Sequence, residues 1–302
     1  MSKPLIGLTG YSGFIGSTFA KEYEDKYTIS RIDLRSSATS SLDFGEMSTL
    51  VHCAGLAHQM NGAPAEKYYT VNADLTRSLA LAAKQNGVQH FIYLSTAHVY
   101  SNNHKHSGTF NESSLPAPID DYGKSKLKAE VLLRELESNT FKVSIIRPPM
   151  VYGPACKGNF PRLIRLVKSL PFLPFGYTKN RRSIIYVSNL TFFISLLIDR
   201  KISGIFLPQD RTPLSIQEIV RLIKGGLDVQ SPMLSIPDSM VGLLARLFPK
   251  QTDRLFGTFA FDSTVTNLLT EYEAPYSSAQ GISETSHWFI RNSSSIQTDL
   301  QP

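Results

Sequence analysis

The chain has 302 residues, of which 42% are hydrophobic and 19% charged, and its formal net charge is +6. This composition is typical of an ordered globular protein and excludes a disordered or fibrous chain. The longest apolar run, LTFFISLLI from Leu190, is shorter than the roughly 18 residues of a membrane span, so we expect no membrane insertion. The basic residues are scattered along the chain, which argues against a nucleic-acid partner.

The N-terminus and the cysteines indicate a cytoplasmic protein. The first residues, MSKPLIGLTG, lack the charged lead and long apolar core of a secretory signal. Cys53 and Cys156 lack the spacing of a metal site or of a disulfide framework. We therefore expect a reducing compartment and no bound metal ion.

Apolar β-type runs alternate with helical patterns over residues 1–150. Helices are predicted from Phe14, over Ala65–Asn86 and from Tyr122, between the runs PLIGLTG, YTISRID, TLVHCAG, HFIYLST and KVSIIRPP. This rhythm predicts an α/β fold, a doubly wound parallel sheet of the Rossmann type. Almost wholly apolar strands such as FIYLS are expected when helices cover both faces of the sheet.

The sequence pattern changes after Pro148. Pro and Gly residues cluster there, and strand-type and helix-type segments alternate less regularly. We expect a dinucleotide-binding domain over residues 1–150 and a smaller α/β substrate-binding part over 151–290, interleaved with the sheet. The polar, Ser-rich residues 291–302 are expected to be a frayed tail.

Three glycines, Gly10, Gly13 and Gly16, recur at every third position of the stretch GLTGYSGFIGS, between the first strand and the first helix. In such a turn Gly10 permits a tight bend, Gly13 lets the main chain approach a pyrophosphate, and Gly16 lets the helix pack on the strand. The helix N-terminus then offers its free amides to the anion. The spacing predicts a site for a dinucleotide cofactor, NAD or NADP.

Asp33 ends the next β-type run, where an acid accepts hydrogen bonds from the adenosine ribose hydroxyls. Its charge would repel a 2′-phosphate, which favours NAD over NADP. Arg31 and Arg35 lie beside it and can accommodate the additional phosphate, so NADP stays open.

Tyr122 and Lys126 lie at positions i and i+4 of DDYGKSKLKAE, on one face of a helix. A phenol beside an ammonium ion and an oxidised nicotinamide ring is expected to have a lowered pKa, because positive charge favours the phenolate. Tyr122 is then a usable general base. Thr96, at the end of the strand HFIYL, can hydrogen-bond the reacting oxygen.

The motifs TGYSGFIG, STAHVY, YGKSK and RPPMVYGP resemble, in order and spacing, those of the extended short-chain dehydrogenase/reductases. The resemblance spans about residues 4 to 290 and is to the NAD-dependent epimerase/dehydratase branch that acts on nucleotide sugars. Within that branch the chain is similar to bacterial surface-polysaccharide 4-epimerases and 4-ketoreductases.

The resemblance implies roles for individual residues. Thr96, Tyr122 and Lys126 would form the catalytic triad, with Thr96 touching the substrate and Tyr122 and Lys126 also touching the cofactor. The other implied cofactor contacts are Gly10, Gly13, Phe14, Ile15, Gly16, Asp33, Ala54 and Gly55. Asn159 and Arg182 would hold the nucleoside diphosphate of a UDP-sugar, since the planar guanidinium pairs well with phosphate. The helices from Ala65 and of Tyr122 resemble the family's dimer-forming bundle, so a homodimer is expected.

The sequence departs from the family pattern at three places. The region between Asp33 and Val51 is short, which predicts a trimmed strand and helix and leaves Asp43 as a candidate adenine contact. Met150 stands where many sugar epimerases have Asn, and Asn189 where Asp is common. His58 follows a strand end, and we expect it to be structural. The apolar segments LTFFISLLI and MVGLLARLF are expected to be core or lid rather than membrane contacts.

These features predict an enzyme that oxidises or reduces C4 of a UDP-linked hexose. The first hypothesis is a 4-epimerase that regenerates its NAD in each turnover, in surface-polysaccharide synthesis. The alternative is an NAD(P)H-consuming 4-ketoreductase of a 4-keto-6-deoxy-amino sugar, which would use the same residues. A regulator that binds the dinucleotide without chemistry is disfavoured by the acid–base pair.

Overall fold

The computed structural model describes residues 3–292 except 36–38, 58–62, 101–107, 177, 236, 238–241, 243–245, 249–251 and 253–255. His58 and the tail beyond residue 292 lie outside the described residues. No helix in the described part of the chain has the length and apolar character needed to cross a membrane.

The described residues form ten strands and nine α-helices with assigned bounds. The strands are β1 Leu5–Thr9, β2 Thr28–Ile32, β3 Thr49–His52, β4 His90–Leu94, β5 Gly108–Phe110, β6 Lys142–Ile146, β7 Met150–Tyr152, β8 Ile184–Tyr186, β9 Gly204–Phe206 and β10 Phe259–Phe261. The helices are α1 Phe14–Glu22, α2 Ala65–Tyr69, α3 Leu75–Gln85, α4 Asp121–Leu136, α5 Asn159–Ser169, α6 Val187–Arg200, α7 Ile216–Leu227, α8 Thr264–Thr270 and α9 Ser278–Arg291.

The main sheet has six parallel strands in the order β2-β1-β3-β4-β6-β9. The chain runs from β1 outward to β2 and then crosses back to β3 on the other side of β1. This reversal makes a crevice at the carboxyl ends of β1 and β3, where ligands of such sheets bind. The predicted fold class is confirmed.

Alternate residues of the strands face two separate cores, as the period of two requires. Val51 and Ile92 face the side covered by α1 and α6, where Phe19 and Phe193 pack. On the other side, Phe91 packs with residues of α3 and α4. Because helices cover both faces, the strands have to be apolar along their whole length.

The short connection after β2 has a structural consequence. Strand β2 is the edge of the sheet, and the described residues between Asp33 and β3 contain a single 3₁₀ turn, Thr39–Ser41. The family's additional strand and helix are therefore absent from the described part of this connection. Asp43 accepts a hydrogen bond from the Gly45 amide at 2.9 Å, which holds its carboxylate in a local turn.

The second half of the chain builds a smaller layer and also returns to the sheet. Helices α5, α7 and α9 share a core with the parallel pair β7 and β8. Strand β10 pairs with β5, and β9 joins the main sheet beside β6. The boundary at residue 150 stays a prediction.

Candidate active site

The glycine loop lies directly against the segment that follows β3. Gly10 has a φ of +67°, in the left-handed region, and a Cβ there would lie 2.6 Å from the Ala54 nitrogen. The Gly13 amide donates to the Gly10 carbonyl at 2.9 Å. Only glycine satisfies both the backbone conformation and the close approach at residue 10.

The N-terminus of α1 is left open toward the crevice. Gly13 is the N-cap and supplies no side-chain cap, Phe14 and Ile15 are the first two helical residues, and the first turn contains no acid. The first-turn amides are therefore available to an anion, and the helix dipole favours negative charge there. The structure thus places the predicted pyrophosphate residues together.

We expect Gly16→Ala to damage this loop. A Cβ at residue 16 would overlap the carbonyl oxygen of Gly10, so the loop has to move. The expected cost is about 1–3 kcal/mol of stability, from overpacking, together with weaker NAD binding. Urea unfolding and calorimetric titration with NAD measure both effects.

Gly225→Ala is the matched control, because Gly225 also lies in a helix but a Cβ there meets no atom within 4 Å. This variant should gain about 0.5–1 kcal/mol and leave NAD binding unchanged. Equal behaviour of the two variants would contradict the packing argument.

Asp33 follows β2 as predicted, and both of its carboxylate oxygens are engaged by Arg35. The Arg35 Nε and amide donate to Oδ1 at 3.0 Å each, and Nη2 donates to Oδ2 at 3.1 Å. These hydrogen bonds lower the pKa of Asp33. A ribose diol therefore has to share or displace the Arg35 guanidinium.

Ala54 and Gly55 lie between the glycine loop and the catalytic helix. A Cβ on Gly55 would lie 3.2 Å from Lys126 Nζ and 3.0 Å from Asn72 Oδ1. Asn72 accepts from the Leu56 amide at 2.7 Å, and its Nδ2 donates to the Leu56 carbonyl at 3.0 Å. It thereby fixes the segment after β3. Sequence reasoning missed Asn72, because a single Asn within a helical pattern gives no signal.

The three predicted catalytic residues come together at the carboxyl end of β4. Thr96 is buried just after that strand, and Tyr122 lies in the first turn of α4, whose N-cap Asp120 accepts from the Gly123 amide at 2.6 Å. The Thr96 hydroxyl lies close enough to the Tyr122 phenol to lower its pKa. Lys126, one turn further along α4, donates to the Leu94 carbonyl at 2.9 Å.

In the protein without its coenzyme the pKa of Tyr122 is raised, and the lowering expected beside an oxidised nicotinamide stays a prediction. The pKa of Tyr122 is raised to about 12, mainly by burial; nearby Thr96 acts against this rise, and Asp120 and Tyr68 add to it. Lys126 is not among the groups that shift this pKa. Its ammonium group contacts the Leu94 carbonyl and the Tyr93 ring, 4.7 Å from the ring centre. Burial also lowers the pKa of Lys126 to about 8.

A buried network of charged and polar side chains lies next to the candidate catalytic residues. Arg147, at the end of β6, donates through Nη2 to Glu130 Oε2 at 2.5 Å and through Nη1 to the Tyr100 hydroxyl at 2.5 Å. Ser95, next to Thr96, donates to Glu130 Oε1. The network joins β4, α4 and β6, and no sequence pattern indicated it, since its members are far apart in the chain.

The two predicted diphosphate residues lie in the second half of the chain. Asn159 is the exposed first residue of α5, and Arg182 is half-buried and donates through Nη1 to the Gly257 carbonyl at 2.7 Å. Met150 begins β7 and packs against the core of this part. The roles of Asn159 and Arg182 stay predictions.

The departure at Asn189 is explained by its neighbour Asp210. Asn189 Nδ2 donates to Asp210 Oδ1 at 2.7 Å, and the Tyr276 amide donates to Asn189 Oδ1 at 2.9 Å. Both polar side chains are buried, and burial raises the pKa of Asp210. An aspartate at 189 would place two carboxylates in contact, so the amide is needed as a donor.

We therefore expect Asn189→Asp to lower the free energy of unfolding by about 3 kcal/mol at pH 7. The new carboxyl would have a raised pKa in the folded state, so the loss should shrink as the pH falls through that pKa. Urea unfolding at pH 7 and pH 5 measures it. The control is Asn111→Asp, because exposed Asn111 only accepts through Oδ1, and a loss of equal size there would contradict the argument.

Comparison with known proteins agrees with this geometry. Residues 6–206 match the NAD dependent epimerase/dehydratase family. A UDP-glucose 4-epimerase of Vibrio cholerae is 33% identical, over 96% of this chain and 97% of its own length. The N-acetyl-alpha-D-glucosaminyl-diphospho-ditrans,octacis-undecaprenol 4-epimerase of Escherichia coli O157:H7 is 26% identical, over 92% and 93%.

A solved structure, that of UDP-glucuronic acid 4-epimerase from Bacillus cereus in complex with NAD, shares the fold. Its TM-score is 0.75 at 20% identity, with 95% of this chain and 99% of that chain covered. The match to the family over two thirds of the chain and the near full-length relative lead to one conclusion. This chain belongs to the NAD-dependent epimerase/dehydratase family.

Proposed function

We propose that this protein is an NAD-dependent 4-epimerase of a nucleotide sugar, a UDP-hexose or UDP-N-acetylhexosamine, in surface-polysaccharide synthesis. The observation that carries the proposal is the assembly of Thr96, Tyr122 and Lys126 at the end of β4, beside the glycine loop. Hydride exchange at a carbinol carbon requires acid–base groups next to the crevice that binds the dinucleotide.

The residues of the crevice fit NAD. The close-packed glycines leave room for a pyrophosphate at the open N-terminus of α1, and Asp33 lies where the adenosine ribose would end. When bound, NAD supplies the acceptor for the C4 hydride and returns the hydride to the other face of the sugar.

The protein's own residues move the proton and hold the substrate. Tyr122 takes the proton of the C4 hydroxyl and later gives it back, while Thr96 hydrogen-bonds the same oxygen. Lys126 orients the nicotinamide ribose and adds positive charge near the phenol. Asn159 and Arg182 hold the diphosphate, which leaves the sugar free to turn between the two hydride transfers.

The carrier of the sugar is taken to be UDP. The relatives named above act on a UDP-sugar and on a polyprenyl-diphosphate sugar, and both substrates present a sugar 1-diphosphate. The UDP-glucose epimerase is the more similar of the two, at 33% against 26% identity. Asn159 and Arg182 would serve the diphosphate of either substrate.

The 4-ketoreductase is the second candidate, and the position of Arg35 favours it. Its guanidinium lies on Asp33, beside the expected end of the adenosine ribose, and can pair with a 2′-phosphate. A coenzyme consumed in each turnover would then be NADPH. The two candidates differ in whether the coenzyme leaves the protein.

We also propose a cytoplasmic homodimer joined through α4 and the helical stretch from Ala65, which comprises α2 and α3. Support comes from Val131, an apolar residue of α4 that is 52% exposed. Sedimentation velocity at micromolar protein should give a dimer, and a monomer alone would count against this arrangement.

One experiment tests the proposed function. The purified protein is denatured and the released nucleotide identified, and fresh protein is offered UDP-GlcNAc and UDP-glucose without added coenzyme. Bound NAD and formation of the C4 epimer support the epimerase. Activity that needs a 4-keto sugar and added reductant selects the ketoreductase, and failure on all substrates contradicts both.

A further inference from the structure

An apolar tip protrudes from the second half of the chain. Phe172 and Leu234 are 54% and 50% exposed, on two neighbouring segments. The segments are joined because the Leu173 amide donates to the Pro232 carbonyl at 2.9 Å and the Leu234 amide donates to the Leu173 carbonyl at 2.8 Å. Leu173 is buried between them, so the tip is anchored while the two large side chains face outward.

The connection that follows Leu234 exposes further apolar side chains. Leu247 and Phe248, in the segment MVGLLARLF, are each more than half exposed. Of the two expectations for this segment, core or lid, the exposure of these two residues excludes only core for them. Exposed apolar groups of this size mark surfaces that meet a partner or a membrane.

The positive charge of the protein is concentrated in the stretch that leads to the tip. Residues 157–182 contain seven Lys and Arg and no acid, whereas the whole chain has 31 basic and 25 acidic residues. The rest of the chain therefore carries 24 basic against 25 acidic residues and has almost no net charge. Basic residues occur along the whole chain, but the excess of basic over acidic residues comes from this one stretch.

Helix α5 presents part of this charge to solvent. Its Phe160, Ile164 and Val167 are buried in the core, whereas Arg162 and Lys168 are exposed. Neither of these two forms an ion pair with another residue in the described part of the chain. Lys168 lies in the last helical turn, four residues before Phe172.

We propose that the tip of Phe172 and Leu234, together with the basic face of α5, docks on the surface of an anionic lipid bilayer. Peripheral membrane contacts typically combine exposed apolar side chains with basic side chains. The apolar side chains enter the membrane interface, and the basic side chains bind acidic headgroups. Nucleic acid fits less well, because an aliphatic side chain such as Leu234 has no face on which a base could stack. Docking would bring the enzyme to the membrane.

Vesicle sedimentation tests this surface. The protein is mixed with vesicles of phosphatidylcholine, with or without phosphatidylglycerol, and the bound fraction is measured. We expect binding to the anionic vesicles alone, weakened by added salt. Phe172→Glu with Leu234→Glu should reduce binding more than tenfold, because two apolar anchors are lost and two repelled charges are added.

The charged part is tested by Arg162→Gln with Lys168→Gln. Each basic side chain near an anionic surface contributes a factor of about five in partitioning, so the pair should cost about 25-fold. The matched controls are Val265→Glu with Leu268→Glu, two exposed apolar residues of α8, and Lys21→Gln, an exposed lysine of α1. All variants should keep epimerase activity in solution, which separates this inference from the proposed function.

Several outcomes would overturn the docking surface. Wild-type protein that stays in the supernatant with both kinds of vesicle contradicts it, and so does a tip variant that binds as well as the wild type. If the tip variant instead changes the sedimentation coefficient, the tip contacts a second copy of the chain. Binding of an oligonucleotide that is tighter than vesicle binding and lost with the basic side chains would show that the surface serves nucleic acid.

Discussion

Replacing Tyr122 with phenylalanine is expected to lower epimerase turnover by a factor of about 10²–10⁴, the range that a positioned general base contributes. The variant keeps the ring and its contacts with Tyr68 and His98, whose ring centres lie 6.2 and 5.5 Å away. Only the hydroxyl that reaches Thr96 is removed. Turnover is measured with UDP-GlcNAc, and NAD binding should be unchanged.

Tyr68→Phe is the matched control for this experiment. It removes a hydroxyl from the aromatic ring packed beside Tyr122 and is expected to change turnover by no more than a few fold. Unchanged turnover in Tyr122→Phe, or an equal loss in the Tyr68 variant, would remove Tyr122 as the base.

The pH dependence of the holoenzyme follows from two opposed pKa shifts. Without the coenzyme the pKa of Tyr122 is raised to about 12, mainly by burial, so positive charge from the bound coenzyme and from Lys126 has to bring it down. We expect kcat/KM to rise as the phenol loses its proton and to fall above pH 8, where Lys126 loses its charge. An acidic limb near pH 12 would contradict the proposed base.

The fold and the proximity of the three candidate catalytic residues were predictable because their signals are local. Three glycines in one turn, a Tyr and Lys one helical turn apart, and a strand that ends in Thr96 are each read within a few residues. Parallel strands place their carboxyl ends at one edge of a sheet, so the motifs meet once the order of strands is known. The alternation of apolar runs was sufficient to predict that order as Rossmann-like.

The features that sequence reasoning missed depend on contacts between distant residues. Glu130 and Arg147 meet only because α4 packs beside β6, and the engagement of both Asp33 oxygens by Arg35 depends on rotamers. The raised pKa of Tyr122 in the protein without its coenzyme was also missed, because the spacing of Tyr122 and Lys126 shows that they are neighbours but not that the phenol is buried. Desolvation of a phenolate outweighs an ammonium group that faces another acceptor.

Lys126→Met is expected to abolish most activity and yet to stabilise the folded protein at pH 7. Lys126 is 5% exposed, and burial lowers its pKa from 10.5 to about 8. Below pH 8 the folded state therefore holds an ammonium ion at a cost of about 3 kcal/mol. Methionine removes this cost and leaves the Leu94 carbonyl without its donor, a loss of about 1 kcal/mol, so the net gain is about 2 kcal/mol.

The sign of the pH dependence separates this account from a simple packing effect. Between pH 8 and 10.5 the folded wild type has already lost the proton that the unfolded chain still binds, so its stability rises with pH. The advantage of Lys126→Met should therefore shrink between pH 7 and pH 9.5, as measured by urea unfolding. Lys84→Met is the control, because half-buried Lys84 likewise donates to a carbonyl, that of Leu136 at 2.6 Å, and lies over an aromatic ring. That variant should lose about 1 kcal/mol at pH 7. A Lys126→Met protein that is as destabilised as the control would show that the lysine carries no desolvation cost, and its proposed tuning of the phenol would lose its electrostatic basis.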